Sequence, residues 1–69
     1  MTPEERAELI AWVKERTAAS LELIRQRKIT INEANRRTAA AKIVLRCIRY
    51  EDDATDVRAQ LEGIFPEPH

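Results

Sequence analysis

The chain has 69 residues, with twelve basic and twelve acidic side chains, a formal net charge of zero, and one each of cysteine, histidine and glycine. That length allows one domain at most, and folding buries only about 60% of the surface the unfolded chain exposes, so the margin of stability is thin. The single Cys47 excludes a disulfide within the chain, the scarcity of soft ligands beyond Cys47 and His69 argues against zinc, and the lone Gly63 excludes a glycine-rich phosphate loop.

The elements are predicted to be helical throughout, in an all-α chain with no strand pattern. A first helix is expected over about 3–28: Thr2 is a good N-cap, Pro3 suits the first helical position, and Glu5 stands where a capping box needs it. Glu4, Glu5 and Glu8 suit the positive end of that helix, and Arg25, Arg27 and Lys28 its negative end. The start, Met1-Thr2-Pro3-Glu4-Glu5, has no apolar stretch of the kind a secretory leader carries, and no run approaches the length that spans a bilayer. A cytoplasmic setting is the expectation, with Cys47 reduced and buried.

The break falls at Ile29-Thr30-Ile31, where Thr30 and Glu33 offer a second capping box. A second helix is expected over about 31–51, antiparallel to the first. Asp52, Asp53, Thr55 and Asp56 then interrupt the pattern and supply cap candidates, and a short third helix over about 55–62 is expected to stop at Gly63. Ile64 and Phe65 should fold back on the hairpin, which makes 1–65 a single helical domain and 66–69 a flexible tail.

Both long helices carry two apolar rows. In the first helix these are Ile10, Val13, Thr17, Leu21 and Ile24, then Leu9, Trp12, Ala19 and Leu23. In the second they are Ile31, Ala34, Thr38, Ala41, Leu45 and Ile48, then Ala40, Val44 and Cys47. A turn near residue 29 sets Ile10 against Ile48, Val13 against Leu45 and Thr17 against Ala41, with small residues facing small residues at mid-length. One hairpin uses one row per helix, and a short third helix looks insufficient for the rest. The expectation is therefore a homo-oligomer, a dimer foremost, paired into a helix bundle, with Leu9, Trp12, Leu23, Val44, Cys47 and Phe65 at the self-association or partner interface. In size and layout such a hairpin resembles small plasmid- or phage-encoded RNA-binding hairpins that pair into four-helix bundles; no motif is shared, so no residue role carries over.

Catalytic chemistry has little to draw on: His69 is in the tail, Ser20 sits in the small-residue seam, and the carboxylates Glu8, Glu15 and Glu22 lack the histidine partner of helical metal sites. No catalytic residue, metal or cofactor is expected, and no enzyme.

Charge is the stronger feature. Residues 1–24 carry three basic and five acidic side chains, residues 25–49 eight basic and one acidic, and residues 50–69 one basic and six acidic. Arg25, Arg27, Lys28, Arg36 and Arg37 gather at the hairpin tip, and Lys42, Arg46 and Arg49 continue along the second helix. Three readings stay open for them: ion pairing with the glutamate stripe or with Asp52, Asp53 and Asp56; contact with an anionic ligand such as RNA, DNA or a nucleotide; or an acidic protein partner. Overall neutrality weighs against a general nucleic-acid binder. Trp12 reads as a buried contact or, more sharply, as a partner hot spot; Phe65 reads as a clasp on the hairpin or a docking residue. The functional expectation is a small non-enzymatic interaction protein that self-associates and binds and modulates another protein, with the anionic-ligand binder as the alternative.

Overall fold

The structure, a computed structural model, describes residues 1–66. Three helices follow one another: α1 (Pro3–Arg25), α2 (Ile31–Arg46) and α3 (Ala54–Ile64), with no strand among the described residues. None of the described helices is long and apolar enough to cross a membrane. The expected tail falls mostly on residues 67–69, outside the described part.

α1 begins as its sequence dictates. The Thr2 hydroxyl accepts from the Glu5 backbone N–H (3.2 Å) while the Thr2 N–H donates to the Glu5 carboxylate (3.0 Å), a complete capping box with Pro3 behind it. α2 starts on Thr30, whose hydroxyl accepts from the Glu33 N–H (3.1 Å). The second half of the box expected there is not made; the Glu33 carboxylate lies 3.4 Å from Arg37 instead.

The helix ends depart from expectation. α1 stops at Arg25, not near Lys28. Arg27 takes a left-handed conformation (φ 58°), its N–H bonds back to the Ile24 carbonyl (3.0 Å), and the Lys28 N–H reaches the Leu23 carbonyl (2.9 Å). This is a Schellman stop made without glycine, which is why no glycine or proline marks it in the sequence. α2 stops at Arg46, a turn short of the expected 51. The Asp52 carboxylate captures the Arg49 N–H (2.7 Å) and the Asp52 N–H bonds the Arg49 carbonyl (3.1 Å), so a local turn replaces the last helical turn. α3 extends to Ile64 and contains Gly63, which has a negative φ and ends nothing. The stop comes from Pro66, which moves Phe65 (φ −115°, ψ 70°) out of the helical region.

α1 and α2 form an antiparallel hairpin: Ile10 and Ile48 line one depression near the open end, and Leu23 and Arg37 another near the tip. Ala34 and Ala41 are buried at the helix–helix seam, as is Ser20. The hydroxyls there are satisfied by their own helix, Thr17 to the Val13 carbonyl (2.9 Å), Ser20 to Arg16 (3.0 Å) and Thr38 to Ala34 (3.0 Å), which lets polar residues sit in a close approach without orphaned groups.

α3 changes the apolar balance. It packs on one side of the hairpin and touches both long helices, placing Val57, Leu61 and Phe65 in a single core with Leu9, Val13 and Ala41, against which Trp12, Val44, Leu45, Ile48 and Ile64 lie partly buried. The surplus rows assigned to a second subunit are thus largely covered within one chain. Leu9 and Phe65, expected at an intermolecular interface, are core residues (5% and 4% exposed). Cys47, expected to be buried, is exposed, because α2 ends there and the residue caps the helix instead of continuing its inward row.

Candidate interaction surface

With α3 seated against Glu5, Leu9 and Trp12 of α1 and against Ile43, Val44 and Cys47 of α2, the hairpin has one covered side and one open side. Helical geometry assigns the open side. On α1 it carries Ile10, Lys14, Thr17, Leu21 and Ile24; on α2 it carries Ile31, Asn35, Thr38, Lys42, Leu45 and Arg46. Ile10, Thr17, Ile24, Thr38 and Leu45 are partly buried along the groove between the helices, whereas Leu21 and Ile31 are each 63% exposed beside it. At the open end the groove runs into a depression of about 410 Å³ lined by Arg6, Ala7, Ile10, Ile48, Arg49 and Tyr50, among others.

The sequence-selected cations do not form one cluster. Arg25, Arg27 and Lys28 are exposed at the tip, with Arg25 3.8 Å from Glu22. Arg37 turns inward, its side chain only 16% exposed and paired with Glu33, and it lines the depression that also holds Arg16, Ser20, Gln26 and Phe65. Arg36 is exposed on the outer side of α2, away from the groove. Lys42, Arg46 and Arg49 follow the open side toward its far end. Lys14 and Arg6 join that side from α1, although neither stands out in a sequence segment whose net charge is negative.

Pairing is sparse on this surface. Among the described residues Arg6, Lys14, Arg27, Lys28, Arg36, Lys42, Arg46 and Arg49 enter no ion pair, and the pairs that do form lie within single helices. The glutamate stripe Glu4, Glu8, Glu15 and Glu22 sits about a third of a turn further round α1, beyond reach of α2. Among the described residues no ion pair joins this stripe, or Asp52, Asp53 or Asp56, to a cation of α2.

Trp12, Leu23 and Val44 are only partly buried. Trp12 is half-buried, covered by Phe65 and flanked by the Arg16 and Arg58 guanidinium groups, 5.1 and 5.9 Å from its ring centre. Leu23 and Val44 are partly buried against neighbouring helices. Among the described residues no three of His, Cys, Asp and Glu come together as metal ligands would. Compared with known proteins, the chain matches no family model, no curated protein and no solved structure.

Proposed function

We propose that this chain is a small non-enzymatic interaction protein that binds and modulates another, acidic protein through the open side of the α1–α2 hairpin. The observation that carries this reading is that Lys14, Lys42, Arg46 and Arg49, which enter no ion pair among the described residues, share one side of the hairpin with the exposed Leu21 and Ile31. Unpaired like charges repel one another and gain from an anionic partner. Large exposed aliphatic residues further along the same side, toward the tip, gain from an apolar one. A protein surface with acidic and apolar residues answers both. A nucleic-acid backbone answers only the first.

One feature favours the second reading, an anionic ligand such as RNA, DNA or a nucleotide at the tip. Arg27, at a left-handed position that glycine adopts without strain, stands with Lys28 in the exposed turn, and neither enters an ion pair among the described residues.

Pull-down from the source cell separates the two. The protein reading expects a retained protein that survives nuclease treatment and is lost with the double variant Lys42→Glu/Arg46→Glu. Capture that vanishes with nuclease moves the assignment to the second reading, and capture indifferent to the double variant removes the open side from consideration.

A further inference from the structure

We infer that the open groove takes one acidic, amphipathic α-helix of a partner protein, laid along the hairpin opposite α3. This rests on the reading of the open side as the working surface and adds what occupies it.

The groove has helical dimensions. Its floor residues repeat at helical spacing, Ile10, Thr17 and Ile24 on α1 with Thr38 and Leu45 on α2. From Ile10 to Ile24 it runs for roughly 21 Å, the length of about fourteen helical residues. α3 already shows how a short helix fits this hairpin: it spans 11 residues and buries Val57 and Leu61 against the other side. A helix in the open groove would meet the same two long helices at their unoccupied flank, with apolar residues at i, i+3 or i+4, and i+7 against the floor and against Leu21 and Ile31. Its flanking positions would face Lys14 on one wall and Lys42, Arg46 and Arg49 on the other. Acidic residues there are matched, and basic ones repelled.

Charge and size also decide against a second copy. Two open sides face to face would set cation against cation. The acidic stripe of another copy's α1 has the right sign, but the apolar residues interleaved with Glu8, Glu15 and Glu22 are Ala11 and Ala18. Alanine offers little burial for Leu21 and Ile31, and exposed ion pairs alone contribute little.

The test is a selection of displayed 18-residue random peptides on the immobilised full chain, followed by solution binding of the enriched peptides to the wild type, Leu21→Glu and Lys42→Glu. Leu21 and Lys42 are exposed, and circular dichroism checks that both variants keep the fold. The expected result is enrichment of peptides with apolar residues at helical spacing flanked by Asp and Glu, helical when bound, and weakened about tenfold or more by either substitution. Acidic peptides without helical spacing, sensitive to Lys42→Glu but not to Leu21→Glu, overturn the helix while the basic working surface stands. Enriched peptides indifferent to both substitutions, or no enrichment, overturn the groove itself. A dimer in sedimentation that Leu21→Glu dissolves assigns the groove to a second copy, and duplex RNA bound in place of any peptide assigns it to nucleic acid; either overturns the inference.

Discussion

The Trp12 and Phe65 rings meet edge to face, with centroids 6.1 Å apart and planes at 80°. Trp12 belongs to the middle of α1 and Phe65 caps α3, so this contact fastens the end of the third helix to the first. Edge-to-face geometry suits the ring quadrupoles and adds to the burial of Phe65 itself.

Phe65→Ala should therefore cost about 3–5 kcal/mol, most of the stability a chain of this size can hold. Urea unfolding followed by the emission of Trp12, the one tryptophan, reads both the loss and the change in ring environment. A midpoint close to that of the wild type would show that α3 is held by Val57 and Leu61 without the ring.

Arg27 and Gly63 are mismatched to their backbone conformations in opposite senses. Arg27 occupies a left-handed position with φ 58°, and Gly63 sits inside α3 with no atom within 4 Å of an added Cβ. Arg27→Gly should stabilise the fold by about 0.5–1 kcal/mol, through relief of the left-handed strain. Gly63→Ala should add about 0.5–1 kcal/mol through the lower entropy of alanine in a helix. Thermal melts of the two single variants and the double variant check both effects and whether they add. A lower melting temperature for Arg27→Gly would mean that the arginine side chain contributes more to the turn than its conformation costs.

Cys47 is exposed, and a thiol reagent should label it in the native state at a rate within roughly tenfold of the urea-unfolded chain. Cys47→Ser should change stability by no more than about 0.5 kcal/mol, as for other surface substitutions. Strong protection of the thiol under native conditions would instead place Cys47 under another surface, such as a second subunit.

The helix starts and the hairpin were legible in the residues because they depend on neighbours in the chain. Thr2 and Thr30 cap through the hydrogen bonds their sequence context offers. Ile10 and Ile48 come to the same end because a short turn folds the second helix back along the first. The candidate site was legible only as a set of residue types: Lys42, Arg46 and Arg49 fall on the open side, but Arg37 is drawn inward to Glu33 and Lys14 enters from a segment of opposite net charge. Linear charge counts do not say which side of a helix a cation occupies relative to the third helix.

The cations that share the open side with Leu21 and Ile31 show the same division. Sequence alone determined that the chain is helical, where its helices begin, and that its basic residues concentrate in the tip and second helix, since capping and periodicity act over a few residues. Only the tertiary structure decided that α3 and Phe65 cover Leu9 and Trp12, and which side of the hairpin α3 leaves uncovered. Those outcomes depend on packing between groups far apart in the chain, which local spacing does not contain.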